Sequence, residues 1–116
     1  MVAVAFEDKK RETDIMIRHM LFWTFTEQIH AQNPDETIQF LQQSYANMVG
    51  KIPGLRCAEI GKNFAGGPYD IALYCELDTA DDLKAYQTHP LHLELKEMAK
   101  NWVEGRACVD YAIQER

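Results

Sequence analysis

The sequence predicts an α+β domain in which helices pack against one antiparallel four-stranded sheet. Apolar residues alternate along four segments, and between these segments they recur at helical spacing. The resulting order along the chain is βαββαβ, an arrangement in which the helices segregate to one face of the sheet. A length of 116 residues corresponds to one domain with a single core.

The first predicted strand covers residues 16–25 and is apolar on both of its sides. One side carries Ile17, His19, Leu21, Trp23 and Phe25, and the other side includes Met20 and Phe22. A strand with this pattern is normally covered on both faces, because a solvated face would place polar residues at every second position.

The first helix is defined by its start and stop signals. Asn33 suits the N-cap, Pro34 suits the first helical position, and Gly50 ends the run. Apolar residues between them recur every three or four positions, which predicts one face directed at the core. They are Ile38, Leu41, Tyr45, Met48 and Val49.

A second helical region starts at a capping box over residues 79–82 and is expected to reach about Thr88. Pro90 interrupts this region and can start a new helix, because proline disfavours the helical conformation of the residue before it. The new helix is predicted over residues 91–102, with Gly105 as its stop signal.

Three further strands are predicted at residues 55–62, 69–77 and 106–113. The loop of turn-forming residues 63–68 is short, so the second and third strands are expected to pair as a hairpin. Four strands and two helical regions in this order form a ferredoxin-like protomer.

The helices of such a protomer cover only one face of its sheet. The other face is expected to carry several of Met20, Phe22, Ile60 and Tyr74, or their alternates, since the register is not readable from the sequence. Burying three of these side chains is worth about 5–9 kcal/mol, which is comparable with the net stability of a small domain. We therefore predict a homodimer packed sheet to sheet, with a monomer bearing scattered surface apolar residues as the alternative.

Composition excludes several other classes. A formal net charge of −6 argues against nucleic-acid binding, and no apolar stretch is long enough to cross a membrane. Three well-separated cysteines, with no zinc-type spacing, indicate a reduced and cytoplasmic protein. Residues 1–15 are expected to be an extension ahead of a domain at 16–116, either an arm for a partner subunit or a frayed tail.

An ordered set of motifs resembles the stress-responsive A/B barrel family, also called Dabb. The motifs are Met16-Ile-Arg-His-Met-Leu-Phe22, Lys51-Ile-Pro-Gly-Leu55, Tyr69-Asp-Ile-Ala-Leu73, Ala85-Tyr-Gln-Thr-His-Pro-Leu-His92 and Val109-Asp-Tyr111. The resemblance extends from residue 16 to about residue 114, and its most specific part is Tyr-x-x-His-Pro-x-His. It implies a dimeric α+β barrel, which agrees with the fold expected from the residue pattern.

The family is functionally uneven, but the resemblance implies candidate site residues. A plant member closes a linear polyketide by aldol condensation without a cofactor, and its catalytic tyrosine and histidine match Tyr86 and His92. A first-strand histidine of that protein matches His19. Another of its pocket histidines falls on Asp70, so the sequence departs from that member and the same substrate is not implied.

The chemistry of these residues suits proton transfer. His92 could act as a base near neutral pH, and Tyr86 could donate a hydrogen bond to a developing enolate oxygen. His19, Asp70, Trp23 and His89 are candidate substrate-binding residues. The structural alternatives are packing for Tyr86, helix capping for His89, a surface or capping role for His92, and core positions for His19 and Trp23.

These expectations lead to three functional hypotheses. The first is cofactor-free enolisation or cyclisation of a small apolar carbonyl compound in each protomer, with no metal. The second is a non-catalytic, stress-related dimeric binding protein. The third, which rests on fold analogy alone, is a cofactor-free barrel monooxygenase.

Overall fold

A computed structural model describes residues 15–114 of the chain as one sheet with four helices. In chain order the elements are β1 (Ile15–Phe25), α1 (Glu27–Ala31), α2 (Pro34–Met48), β2 (Leu55–Lys62), β3 (Ile71–Leu77), α3 (Ala80–Thr88), α4 (Pro90–Ala99) and β4 (Val103–Gln114). None of the helices in this range is long and apolar enough to cross a membrane. The extension predicted at residues 1–15 lies outside the described range except for Ile15, which begins β1.

The sheet has the strand order β2-β3-β1-β4, and every neighbouring pair is antiparallel. This topology confirms the predicted ferredoxin-like α+β fold. The central strand β1 pairs with β3 on one side and with β4 on the other. Its His19 lies opposite Cys75 and Asp110, and its Met20 lies opposite Tyr74 and Val109.

The core lies between the sheet and the helices. Leu21 and Phe25 of β1, Leu73 and Cys75 of β3 and Ile60 of β2 are all buried on this side. Ile60, one of the four candidates for the opposite face, therefore lies on the core side instead. Its partner in the ladder is Leu73, and side chains of paired residues point to the same face, so Ile60 joins the core.

The opposite face of the sheet, here called the open face, carries no helix in the described part of the chain. It includes Met20, Phe22 and Tyr74, as predicted, together with Val109 and Tyr111. These side chains are half-buried or exposed in the protomer. Both sides of β1 are thus apolar, but residues 15–114 of one chain cover only one of them.

The predicted capping residues start three of the helices. The Asn33 side chain accepts a hydrogen bond from the amide of Glu36 at 3.3 Å, and Thr79 accepts one from the Asp82 amide at 3.0 Å. His89 caps α4, since its Nδ1 accepts a hydrogen bond from the Leu91 amide at 3.1 Å. Each cap satisfies a backbone N–H that has no partner within its own helix.

The structure differs from the prediction at the start of β4. The helix ends at Ala99 rather than near residue 102, and β4 already begins at Val103. Gly105 lies inside this strand, where its φ of 59° accompanies a register shift opposite Phe22 and Thr24. The glycine therefore permits a β-bulge and does not stop a helix.

Two smaller differences concern the neighbourhood of Asp70. The short helix α1 was not predicted, because Glu27–Ala31 is too brief to show helical periodicity. The third strand begins at Ile71 instead of residue 69, so Asp70 lies in the loop that precedes it.

Candidate functional site

A cavity of about 500 Å³ lies between the sheet and the helices α2 and α4. Its lining consists of His19, Leu21 and Trp23 from β1, Leu41 and Tyr45 from α2, Gln87 from α3, His92, Leu95, Lys96, Ala99 and Lys100 from α4 and its C-cap, and residues 103–106 of β4. Most of the lining is apolar, and a few polar groups converge on it. A concave site with this composition is typical of small-molecule binding.

The cavity is elongated and has two chemically different ends. The α4 side runs from His92 to Lys100, eight residues or roughly 12 Å along a helix. The strand side runs from His19 to Trp23, about 13 Å along β1. Because the Thr26 amide at the end of β1 donates to the Trp102 carbonyl just beyond α4, both elements run in the same direction.

The two imidazoles consequently share one end of the cavity, here called the imidazole end. His92 follows the Pro90 interruption between α3 and α4, so its side chain lies beside the last turn of α3. Its Nδ1 donates a hydrogen bond to the Gln87 carbonyl at 3.2 Å, which leaves Nε2 as the unprotonated nitrogen of the neutral ring. This bond fixes both the tautomer and the orientation of the ring.

Burial lowers the pKa of His92 from its ordinary value of 6.5. The hydrogen bond to Gln87 opposes this shift, whereas positive charge on Lys96 or His19 adds to it. A lowered pKa keeps the ring neutral at physiological pH, and a neutral ring with a free Nε2 can accept a proton. His92 therefore has the protonation state that the predicted base requires.

His19 is almost completely buried and is paired with an acid. Its Nδ1 donates a hydrogen bond to the Asp110 carboxylate on the neighbouring strand β4. The carboxylate orients the ring. Asp110 also lies 3.6 Å from the Cys108 thiol, whose pKa is raised mainly by desolvation.

Tyr86 lies behind the two histidines and is fully buried. The centre of its ring is 4.5 Å from that of His92 and 5.9 Å from that of His19. Tyr86 is not among the residues that line the cavity. Desolvation by burial raises its pKa, so the phenol stays protonated.

The Tyr86 hydroxyl lies near the Cys75 thiol and near Tyr45. The Cys75 thiol donates to the Tyr86 Oη at 4.0 Å. Tyr45 lines the cavity, and burial raises its pKa as well. Burial raises the pKa of the Cys75 thiol to about 12, so this cysteine is not a nucleophile.

The structure thus brings four of the six predicted site residues together. His19, Trp23 and His92 line the cavity, and Tyr86 contacts both imidazoles. Asp110, Tyr45 and Gln87 were missed. Tyr45 shows the helical spacing of a core residue, and Asp110 joins His19 only through a ladder register that spans 91 positions of sequence.

Asp70 and His89 lie outside the cavity lining. Asp70 accepts hydrogen bonds from the Phe25 amide at 2.7 Å and from the His30 Nε2 at 3.1 Å, so it joins the end of β1 to α1. His89 caps α4, as described above. These contacts give both residues a structural role in the protomer.

One group of side chains could hold a metal ion. Ligand atoms of His19, Cys108 and Asp110 all lie within 4.8 Å of one another. His19 already uses its Nδ1 to bind Asp110, and the raised pKa of Cys108 disfavours the thiolate that binds metals. The arrangement is better explained as an acid–imidazole pair beside a thiol.

The sequence matches the stress responsive A/B barrel domain over residues 17–113. The match covers most of the chain and includes every element that builds the cavity. The chain therefore belongs to the stress responsive A/B barrel family, as its motifs indicate. None of the curated proteins matches it.

Solved structures with the same fold include both uncharacterised proteins and an enzyme. A dimeric protein of unknown function from Bacteroides fragilis is 30% identical, with a TM-score of 0.75 over 84% of this chain and 96% of its own. A dimeric ferredoxin-like protein of unknown function from Thermobifida fusca is 27% identical, with a TM-score of 0.70 over 85% and 92%. Hydroxynitrile lyase from Passiflora edulis is 18% identical, with a TM-score of 0.69 over 87% and 95%, and shares the fold.

The environment of His92 predicts a loss of stability in mild acid. Since its folded pKa is below 6.5, the unfolded chain takes up this proton at a higher pH than the folded chain does. The contribution of the neutral His92 ring to the free energy of unfolding is therefore complete above a pH of about 6.5 and is lost as the pH falls below that value. We expect His92→Gln to flatten the fall in the free energy of unfolding between about pH 7 and pH 5, measured by urea denaturation.

A direct measurement of the pKa of His92 complements the urea denaturation series. An NMR titration should place the pKa of His92 below 6.5 in the folded protein. A value at or above 6.5, or a His92→Gln variant with the wild-type pH dependence, would contradict the buried and neutral state of this ring.

Proposed function

We propose that the protein binds a small, largely apolar carbonyl compound in the cavity and enolises it without a cofactor. The observation that supports this most is the state of His92, a neutral and desolvated imidazole oriented by Gln87 in an apolar cavity. A base of this kind near its working pH typically contributes about 10²–10⁴-fold to a proton transfer. Aldol cyclisation and isomerisation both begin with this step.

In the proposed reaction, the His92 Nε2 removes a proton from the carbon next to the carbonyl. The electrons of the C–H bond form the enolate, and His92 becomes an imidazolium. In an isomerisation this proton returns to another atom of the same substrate. In a cyclisation the enolate carbon attacks a second carbonyl, and the imidazolium protonates the alkoxide that forms.

The enolate oxygen needs a hydrogen-bond donor, and we assign this role to Tyr45 with Tyr86 behind it. The sequence predicts Tyr86 as the donor, but only Tyr45 of the two lines the cavity. Tyr86 would thus be a positioning residue behind the cavity, since the centre of its ring lies 4.5 Å from that of His92.

The paired His19 and Asp110 support the same chemistry from the sheet side. Asp110 accepts a hydrogen bond from the His19 Nδ1 and so orients this ring, which lines the cavity. The hydroxynitrile lyase among the structural neighbours supports an enzymatic function only at the level of fold. Three free cysteines suit work in a reducing compartment such as the cytoplasm.

The proposed base can be tested without knowing the natural substrate. Small apolar ketones and 1,3-diketones lose their α-protons to D₂O when they are enolised, and NMR measures the rate. We expect the wild-type protein to accelerate this exchange for some of these compounds, and His92→Gln to lower the accelerated rate by about 10²-fold or more. His30→Gln is a matched control, because His30 contacts Asp70 outside the cavity.

Two outcomes would contradict the proposed function. One is an equal rate in His92→Gln and the wild-type protein, and the other is no acceleration with any ketone. The second outcome would favour the alternative of a non-catalytic binding protein. Circular dichroism of both variants establishes that a lost rate does not reflect a lost fold.

We also propose that two copies of the chain pack through their open faces. Val109, Tyr111 and Ile113 are 52%, 42% and 37% exposed in the protomer, and they adjoin the half-buried Met20 and Phe22. A contiguous apolar surface of this kind is typical of an interface. The structural neighbours from Bacteroides fragilis and Thermobifida fusca are both described as dimeric, which supports the same assembly.

A charge on the open face should break this dimer. We expect Val109→Glu to shift the protein from dimer to monomer in light scattering coupled to size exclusion, because burying a carboxylate in an apolar interface is unfavourable. Leu93→Glu is the control, since Leu93 is 46% exposed on α4 on the other side of the sheet. A monomeric wild-type protein at micromolar concentration would refute the proposed dimer.

A further inference from the structure

The end of the cavity opposite the imidazoles has an unusual charge for this chain. The cavity lining contains three cations, Lys96, Lys100 and Arg106, and a single carboxylate, Glu104. The whole chain carries a formal net charge of −6. The sign of the local charge at the cavity is therefore opposite to that of the protein.

Position along the cavity separates these cations from the imidazole end. Lys96 lies one helical turn beyond His92, and Lys100 lies another turn further on. Arg106 precedes Ala107, the ladder partner of Phe22, so it lies beside the Trp23 end of β1. Lys100 and Arg106 thus mark the end farthest from the imidazoles, here called the cationic end.

Two of these cations have no ion-pair partner among residues 15–114. Lys100 binds Glu97 at 2.5 Å on the surface of α4. For Lys96 and Arg106, no carboxylate of residues 15–114 lies within ion-pair distance. Both side chains are exposed and could bind an anion without first breaking a contact in the protomer.

The surface between the two ends is apolar. Leu21, Leu41, Leu95 and Ala99 lie along it, and Trp23 and Val103 continue it towards the cationic end. Such a surface favours a hydrocarbon or aromatic body, because removing apolar area from water is favourable. It offers no compensation for a charge, which must therefore lie at an end of the ligand.

From this arrangement we infer that the ligand is an amphipathic carboxylic acid. Its apolar body lies on the leucine-lined floor, its carboxylate binds Arg106 at the cationic end within the positive field of Lys96, and its opposite end reaches the imidazoles. The inference deepens the proposed function by naming the substrate class of the same site. It concerns binding alone and does not depend on whether His92 transfers a proton.

Isothermal titration calorimetry with decanoate and 1-decanol tests the inference on the full-length protein. The two probes have the same chain length, and only one of them carries a negative charge. We expect decanoate to bind at least about tenfold more tightly, the size expected of a charge-assisted hydrogen bond. The double variant Lys96→Gln/Arg106→Gln should lose this preference and leave the affinity for decanol unchanged.

Two further variants locate the probe and control for net charge. Ala99→Trp places a bulky ring on the apolar floor and should abolish the binding of both probes. Lys84→Gln removes a lysine of α3 that is outside the cavity lining, so it should preserve the preference for decanoate.

Several results would overturn the inference. They are equal affinity for the two probes, no binding of decanoate, a preference that survives Lys96→Gln/Arg106→Gln, or binding that survives Ala99→Trp. Failure of the proposed function is distinguishable from these results. It would appear as decanoate binding of the expected kind together with ketone exchange that is insensitive to His92→Gln.

Discussion

The structure depends on a central strand that is apolar on both sides. The core side of β1 places Leu21 and Phe25 under the helices, while the other side presents Met20 and Phe22 on the open face. Within residues 15–114, helices cover the first side only. These helices create the core and the cavity, and we propose that a second copy of the chain covers the other side. Burial of Met20 and Phe22 is worth about 3–6 kcal/mol, a large share of a domain's net stability.

Local signals in the sequence predicted most of the fold. Side-chain caps at Asn33 and Thr79 marked helix starts, and alternation marked the strands. The errors occurred where a distant contact decides the structure. Considered alone, Gly105 suggests the end of a helix. The pairing of its strand with β1 instead places it in a β-bulge. Ile60 fits either face of β2, and only its register with Leu73 places it in the core.

In the candidate site too, local signals were readable from the sequence and distant contacts were not. Motifs singled out His92, His19, Tyr86 and Trp23, and the fold brings these four residues together. The sequence did not reveal their partners, because those lie on other elements. Gln87 acts through a backbone carbonyl, which any residue could supply. The resulting site combines a proton-accepting end, an apolar floor and a cationic end, and our proposals assign each part to one portion of a single ligand.

Solvent accessibility of the open face tests the central claim, that a second copy covers it. Hydroxyl-radical labelling with peptide mass spectrometry reports the exposure of individual side chains. We expect Val109 and Tyr111 to be protected in the dimeric wild-type protein and to become labelled in a dilute, monomeric sample. Tyr111 should also become labelled in Val109→Glu, whereas Met98 on α4 should be labelled equally in both states. Rapid labelling of Tyr111 in the wild-type protein at micromolar concentration, equal to that in the monomeric sample, would contradict the account.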